Sequence, residues 1–230
     1  MFPATLFDYN GVLVDDEVVH LQAFRDVLSP RGIDLDESAY WDRYLGFDDV
    51  GAFRAIFNDN GRDLSDDEVK RLVEEKRPRY LERAKNVLKG FDGAPALVRR
   101  RAKVGPVGIV SGALRDEIRL GLEVLGVRDV VSTIVSAEDT VSSKPDPEGY
   151  LRGVADLSSQ VGGEVARLAV AIEDSIAGVE AAKAAGLVCI AVSHSYSAEK
   201  LQQAGADLVV ASLDEITEPV LGQLYRRLHS

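Results

Sequence analysis

Cysteine is nearly absent from this chain, since one residue, Cys189, occurs among 230. A single cysteine excludes an intramolecular disulfide and a metal site built on cysteine thiolates. Cys189 stands in the apolar run at residues 187–192, and this setting predicts a buried, unreactive thiol.

Long apolar runs are also missing, because none approaches the length of about 20 residues that spans a bilayer. The start of the chain, Met1-Phe2-Pro3, lacks the basic residues of a signal peptide, and Asp8 interrupts any apolar core that follows. The sequence therefore predicts a cytoplasmic protein without a membrane partner.

Basic residues are scarce relative to acidic ones, with 27 Lys and Arg against 38 Asp and Glu, a formal net charge of -11. Nucleic acid and anionic membrane surfaces attract basic proteins, so this balance argues against both as the main partner. The apolar content of 46% argues against wholesale disorder. A chain of this length suits one large domain or a domain with an insert. The oligomeric state is left open, with a monomer favoured.

The pattern of the chain changes near residue 89. Residues 16–88 show helical spacing of apolar residues throughout, with a capping box at Ser65-Asp66-Asp67-Glu68 and a kink or break expected at Pro78. After residue 89, short apolar strands alternate with helices, which is typical of a parallel sheet covered on both faces. Strands are predicted at 4–7, 107–110, 130–135, 168–172, 187–192 and 208–210.

These patterns predict an α/β fold, a Rossmann-like doubly wound parallel sheet with an inserted all-helical domain. Residues 1–15 and 89–230 are expected to form the sheet domain, because the strand at 4–7 has no partner in its own segment. Residues 16–88 are expected to form the helical insert.

Polar residues that could carry chemistry follow four of the predicted strands. Ligands bind at the carboxyl ends of the strands in open α/β sheets, so these residues are expected to converge. They comprise carboxylates, a hydroxyl near helix-start amides and a lysine, which together suit phosphoryl transfer assisted by Mg²⁺. The residues are Asp8, Ser111-Gly112, Lys144-Pro145 and Glu173-Asp174.

Four motifs at these positions resemble those of the haloacid dehalogenase superfamily, in its phosphatase and β-phosphoglucomutase-like branch. The resemblance spans nearly the whole chain, and it implies that the helical insert is the cap domain of this branch. The motifs are Asp8-Tyr9-Asn10-Gly11-Val12-Leu13-Val14-Asp15, Ser111-Gly112, Lys144-Pro145-Asp146-Pro147 and Glu173-Asp174-Ser175-Ile176-Ala177-Gly178.

The resemblance implies that Asp8 is the nucleophile and forms an aspartyl-phosphate. It implies that the hydroxyl of Ser111, the amide of Gly112 and the ammonium of Lys144 hold the phosphoryl group. The implied substrate is a small-molecule phosphate ester.

The resemblance also implies Mg²⁺ as the cofactor. Its ligands would be a carboxylate oxygen of Asp8, the main-chain carbonyl of Asn10 and Asp174. Glu173 would be a further ligand or would orient the others.

Asn10 departs from the phosphatase pattern, in which an aspartate at this position protonates the leaving oxygen and later activates water. An asparagine cannot exchange that proton, and losing a general acid–base costs about 10²–10⁴-fold in rate. Four accounts are open. The chain is an engineered trapping variant, a slow natural phosphatase for activated phosphates, a non-hydrolytic sensor of a phosphorylated ligand, or a protein in which Asn10 deamidates to aspartate.

The main hypothesis is a Mg²⁺-dependent phosphatase-type hydrolase of a small phosphorylated metabolite. A phosphomutase, which returns the phosphate to the substrate, is the alternative enzyme, and a catalytically weak phospho-ligand-binding protein is the alternative class. A 2-haloacid dehalogenase is disfavoured, because relatives with that activity carry tyrosine where this chain has Asn10.

Other polar residues receive structural interpretations. The three histidines, His20, His194 and His229, lack the spacing of metal ligands and are predicted to be surface or packing residues. Lys76, Arg77 and Arg79 are predicted to form a solvated basic face, with contact to an anionic part of the substrate as the alternative.

Overall fold

The protein is described by a computed structural model that covers residues 1–161 and 167–229. The chain divides into two compact units, one made of Met1–Asp15 with Lys89–Ser230 and the other of Asp16–Leu88. Among the helices of the described residues, none has both the length and the apolar character that a membrane crossing requires.

The larger unit contains a six-stranded sheet in which every neighbouring pair is parallel, in the order β5-β4-β1-β6-β7-β8. The predicted doubly wound α/β fold is therefore confirmed. Two further short strands, β2 and β3, pair with each other outside this sheet. The bounds are β1 Thr5–Phe7, β2 Val14–Asp15, β3 Lys89–Gly90, β4 Val107–Val110, β5 Thr133–Val135, β6 Val170–Glu173, β7 Val188–Val192 and β8 Leu208–Val210.

The central strands are buried along their whole length, as their continuous apolar sequences predict. Every residue of β1, β4 and β6 is buried. Cys189 lies in this core, fully buried as predicted, and burial raises the pKa of its thiol well above the ordinary value.

Helices of the larger unit follow the strands in sequence. They occupy the stretches between the strands, as the predicted alternation of strands and helices requires. The helices are α5 Ala94–Ala102, α6 Arg115–Val124, α7 Glu148–Val161, α8 Ile176–Ala184, α9 Ala198–Gln203 and α10 Glu218–His229, preceded in the chain by α1 to α4 of the smaller unit. The side chain of His229 lies outside the described part of the chain.

Two strands differ from their predicted positions. The strand predicted at 130–135 is shorter, because Arg128–Val130 forms a 3-10 turn in which the Val130 amide donates to the Val127 carbonyl at 3.1 Å. The strand predicted at 168–172 is displaced, and Glu173 is its last residue, paired in register with Ala191. A charged residue extends this ladder because the neighbouring groups satisfy its carboxylate, as described below.

The short strands β2 and β3 form an antiparallel ribbon where the helical segment leaves the larger unit and returns to it. Val14 pairs with Gly90 and Asp15 pairs with Lys89. The Phe91 amide extends the ribbon by donating to the Leu13 carbonyl at 3.1 Å.

All regular secondary structure of the smaller unit, Asp16–Leu88, is helical, and every residue of this unit is described. Its core is built from the apolar faces of its helices, with Phe24, Phe53 and Leu72 among the buried residues. A π-helical turn at Tyr40–Tyr44 directly follows the short helix Glu37–Ala39. The helices are α1 Glu17–Leu28, α2 Glu37–Ala39, α3 Asp49–Asp59 and α4 Asp66–Val87.

Helix α4 begins at the predicted capping box, where the Glu68 carboxylate accepts from the Ser65 amide at 2.9 Å and from its hydroxyl at 2.6 Å. A kink or break was predicted at Pro78, and a break does not occur, since α4 runs through this residue without interruption. Lys76 and Tyr80, on either side of Pro78, are fully buried, and this packing holds the helix together where the proline removes a hydrogen bond.

The prediction that Lys76 belongs to a solvated basic face is also wrong, because its side chain is buried. Its ammonium donates to Asp49 Oδ1 at 2.5 Å and to His20 Nδ1 at 2.8 Å, and it lies 4.5 Å from the centre of the Phe24 ring. Spacing explains the placement, since Lys76 shares the core-facing side of α4 with Leu72 and Tyr80. His20 is a packing residue, as predicted, with Nε2 3.3 Å from Asp16 Oδ2.

Replacing Lys76 with methionine leaves the Asp49 carboxylate buried without its cation, and its Oδ2 already has no hydrogen-bond partner among the described residues. We expect the free energy of unfolding to fall by about 3–5 kcal/mol, the typical cost of breaking a buried ion pair. Urea denaturation measures this loss. Lys70→Met, at an exposed position of the same helix, should change little, and Lys76→Met combined with Asp49→Asn should lose less than the sum of the single variants. Additive losses would contradict the pairing.

Candidate active site

Asp8 lies at the carboxyl end of the central strand β1, between the ends of β4 and β6. Its amide donates to the Ile172 carbonyl at 2.9 Å, which continues the β1–β6 pairing to this position. The Oδ1 atom accepts from the Tyr9 amide at 2.7 Å and lies 3.0 Å from Lys144 Nζ. The side chain is therefore buried at the edge where ligands bind in this class of sheet.

Lys144 reaches this edge from the loop between β5 and α7. Its ammonium lies between two carboxylates, 3.0 Å from Asp8 Oδ1 and 2.6 Å from Glu173 Oε1. Although burial lowers the pKa of Lys144, Asp8 and Glu173 raise it above the ordinary value. Lys144 therefore stays charged.

Glu173 is fully buried, and donors surround both of its carboxylate oxygens. Oε1 accepts from Lys144 and from the Tyr150 hydroxyl, each at 2.6 Å. Oε2 accepts from the Asp174 amide and from the Ser175 hydroxyl, each at 3.2 Å. These bonds compensate the buried charge and fix Lys144 relative to the sheet.

Asp174 follows β6 directly and is also buried. Its Oδ2 accepts a hydrogen bond from the Ser195 hydroxyl. Gly11 approaches it so closely that a Cβ on Gly11 would lie 2.0 Å from Asp174 Oδ2. Gly11 also has a φ of 72°, in the left-handed region that favours glycine. Glycine is therefore required here for both space and backbone conformation.

Asn10 and Ser111 contact each other, as the Ser111 hydroxyl donates to Asn10 Oδ1 at 3.2 Å and accepts from the Ala113 amide at 3.1 Å. Ser111 is buried, and Gly112 beside it is exposed. Helix α6 begins only at Arg115, so these two residues lie in a loop and not at the helix start expected from the sequence.

The first amides of α6 are occupied by carboxylates. The Leu114 amide donates to Glu117 at 3.2 Å, and the Arg115 amide donates to Glu138 at 3.0 Å. These two amides are therefore already engaged within the protein.

Three of the predicted residues form a carboxylate group that could hold a metal ion. Asp8, Glu173 and Asp174 each offer an oxygen, and these oxygens lie within 4.8 Å of one another. All three side chains are buried, and hard oxygen donors of this kind suit Mg²⁺. The donor set therefore fits the cofactor that the sequence predicts.

Three carboxylates share the single positive charge of Lys144, and the pKa values of two of them are raised. Burial and the neighbouring Glu173 raise the pKa of Asp8 to about 7. Burial and the charges of Asp8 and Glu173 raise the pKa of Asp174 well above its ordinary value. A cation between these groups would relieve the repulsion.

Sequence reasoning missed the residues that follow β7. Ser195 contacts Asp174, as described, and His194 Nδ1 lies 2.8 Å from the Gly11 carbonyl. The His194 ring stacks on Phe91 with centroids 3.9 Å apart. The prediction of a packing role for His194 agrees with this stacking but omitted its contact with the turn after Asp8. The position of His194 just after β7 could have indicated that it lies near the site, because ligands bind at this edge of the sheet.

Residues 5–192 match the family described as haloacid dehalogenase-like hydrolase. The chain belongs to this family. The predicted superfamily and the prediction of a hydrolase are therefore confirmed.

Relatives of this haloacid dehalogenase-like hydrolase include named phosphatases. It is 27% identical to validoxylamine A 7'-phosphate phosphatase of Streptomyces hygroscopicus subsp. limoneus, over 96% of this chain and 99% of that protein. It is 29% identical to hexitol phosphatase B of Escherichia coli K12, over 93% of this chain and 94% of that protein.

The fold of this family member also matches solved structures. β-Phosphoglucomutase from Clostridium difficile superimposes with a TM-score of 0.84 at 24% identity, over 99% of both chains. At this identity the likeness shows the shared fold. The shared fold agrees with the predicted parallel sheet and helical insert.

Replacing Gly11 with alanine should disrupt the site beyond the cost of backbone strain. The control is Gly126→Ala, where φ is 64° and nothing lies within 4 Å of the added Cβ. We expect the control to lose about 1–2 kcal/mol of stability from the left-handed conformation alone. Gly11→Ala should lose clearly more in the same urea titration, because Asp174 must also move. Equal losses would show that the close approach is unimportant.

Proposed function

We propose that this chain is a Mg²⁺-dependent phosphatase that hydrolyses a small phosphorylated metabolite through an aspartyl-phosphate on Asp8. The observation that carries the proposal is the position of the Lys144 ammonium, 3.0 Å from Asp8 and 2.6 Å from Glu173 at the buried edge of the sheet. A phosphate bound there meets a fixed positive charge beside a carboxylate nucleophile. The names of the two phosphatase relatives support this class of reaction.

In the first step, a carboxylate oxygen of Asp8 attacks phosphorus and the bond from phosphorus to the ester oxygen breaks. Lys144 and the Ser111-Gly112 loop bind the phosphoryl oxygens as negative charge shifts onto them. In the second step, water attacks the phosphorus of the aspartyl-phosphate, inorganic phosphate leaves and the Asp8 carboxylate is restored.

Mg²⁺, when bound, would neutralise charge between the carboxylates and the phosphate. Asp8 and Asp174 are the proposed ligands, together with the main-chain carbonyl of Asn10. Both oxygens of Glu173 already accept two hydrogen bonds each. We therefore assign Glu173 mainly to holding Lys144.

Asn10 limits the rate of the proposed reaction, because its amide cannot protonate the leaving oxygen or take a proton from water. It can still accept the Ser111 hydroxyl hydrogen bond. Substrates with acidic leaving groups, such as acyl, enol or aryl phosphates, need little protonation and should be affected least. The proposed substrate is therefore a small phosphate whose leaving group departs readily.

The fold argues against conversion of Asn10 to aspartate by deamidation. That reaction requires the Gly11 backbone nitrogen to attack the Asn10 side chain. In the structure, the Gly11 amide donates to the Val14 carbonyl at 3.0 Å, which holds the nitrogen in the turn. Peptide mapping across residues 7–14 tests this directly.

The second candidate function is binding of a phosphorylated ligand without turnover, and Asn10 is the observation that favours it. A phosphomutase would also use Asp8, but it would transfer the phosphoryl group back to the substrate. Release of inorganic phosphate distinguishes the hydrolase from both alternatives.

Addition of Mg²⁺ should stabilise the protein against heat. At 100 times the dissociation constant the gain is about 2.7 kcal/mol, or roughly 5–10 °C in the unfolding midpoint for a chain of this size. Asp174→Asn should abolish most of this shift, whereas Glu180→Gln, at an exposed carboxylate of the same unit, should retain it. A shift of the same size in all three proteins would indicate that the ion binds elsewhere. The phosphate-ester assay is a separate readout.

Asn10→Asp should raise the rate of phosphate release by about 10²–10⁴-fold on alkyl phosphates, the typical contribution of a general acid–base. The gain should be smaller on p-nitrophenyl phosphate and acetyl phosphate, which have acidic leaving groups. Initial rates with Mg²⁺ across such a panel measure both effects.

The matched control is Asn86→Asp, which makes the same change at an exposed position. Its rate of phosphate release should equal that of the native chain. If neither the native chain nor Asn10→Asp turns over any ester while both bind one tightly, the protein is a binding protein and the enzyme proposal fails.

A further inference from the structure

A polar cavity of about 420 Å³ lies in the larger unit beside the edge strand β5. Its walls come from β5, α6 and α7, together with the 3-10 turn at Arg128–Val130. Its lining residues include none of the proposed catalytic or metal-binding residues. The cavity is therefore a separate feature of the sheet domain.

Arginine is the residue that distinguishes this cavity. Four guanidinium groups, two from α6 and one each from the 3-10 turn and α7, face two aspartates, Asp139 and Asp156. The lining thus has two more positive than negative charges, on a chain whose formal net charge is -11. The arginines are Arg115, Arg119, Arg128 and Arg152.

The carboxylates near the cavity do not fully engage these arginines. Arg115 forms an ion pair with Asp139. Arg119 lies 4.0 Å from Asp116, and Arg152 lies 3.8 Å from Glu148, both beyond hydrogen-bond distance. Both arginine side chains are about half exposed. Their guanidinium groups can therefore turn toward a ligand at little cost.

The spacing on α6 places like charges together. Arg115 and Arg119 are four residues apart, so they lie on the same face of the helix and repel each other. Asp156 accepts a hydrogen bond from the Thr133 hydroxyl at 2.6 Å and, with Asp139, offsets only part of the positive charge of the four arginines. An anion in the cavity would relieve this repulsion.

We propose that this cavity binds a small anion with at least two negative charges, carried by phosphate or carboxylate groups. The guanidinium fork forms paired hydrogen bonds with both groups, which favours arginine over lysine at such sites. The volume fits a metabolite of modest size. Nucleic acid is a poor fit, because the surrounding chain is strongly acidic and repels a long polyanion.

Pyrophosphate and citrate are suitable probes, since they separate phosphate from carboxylate recognition. We would titrate each into the full-length chain at constant ionic strength near 0.15 M, where exposed charges are partly screened. Amide chemical shifts of residues 131–135 and 119 report binding at this cavity, and those of residues 8–11 and 144 report binding at the candidate active site.

The test variant is Arg119→Gln with Arg152→Gln, both exposed and outside the proposed catalytic machinery. The control variant is Lys103→Gln with Arg226→Gln, which changes the net charge equally at exposed positions of the same unit. We expect the test variant to weaken binding of one or both probes by about tenfold or more, the loss of one charge-assisted hydrogen bond or more. The control should bind as the native chain does.

Several results would overturn the proposal. Equal weakening in both variants would indicate nonspecific attraction. Shifts confined to residues 8–11 and 144, or no saturable shift with either probe, would place no ligand in the cavity. Stronger binding of a short RNA than of pyrophosphate at residues 131–135 would assign the site to nucleic acid.

Discussion

The contact of the Lys144 ammonium with Asp8 and Glu173 is the interaction on which the rest of the site depends. Three buried carboxylates within a few ångströms repel one another, and burial disfavours their charged forms. Lys144 offsets part of this charge from inside the cluster, 2.6 Å from Glu173. The Asp8 carboxylate can therefore remain buried next to the core.

Sheet topology explains why these groups meet. β1 lies between β4 and β6, so residues that follow these strands reach one edge although they are distant in sequence. Glu173 is the last residue of β6 and pairs in register with Ala191, so the sheet holds its backbone in place. Tyr150 and Ser175 then satisfy the carboxylate. A rigid scaffold thus supports a polar cluster that would be unstable in a flexible loop.

The sequence was sufficient to predict the sheet, the helical insert and the meeting of Asp8, Lys144 and Asp174, because each ends or follows an apolar strand. Placement that depends on tertiary contacts was not predictable. The charge of Lys76 favoured a solvent-exposed position. Only its spacing with Leu72 and Tyr80 indicated that it would be buried. Ser195 and His194 follow β7 without a recognisable motif, so their contacts with Asp174 and Gly11 emerged from the structure. Pro78 predicted a kink or a break, and the packing on both sides keeps the helix unbroken.

The ribbon of β2 and β3 bears on how such a protein can change over evolution. Because Val14 pairs with Gly90, the two points where the chain leaves and rejoins the sheet domain are adjacent. A segment of almost any length can connect two adjacent points without disturbing the strands between which Asp8 lies. Residues 16–88 could therefore be exchanged for another insert while the carboxylate cluster is inherited intact. The ribbon therefore allows the insert to vary without displacing the strands that hold the carboxylate cluster.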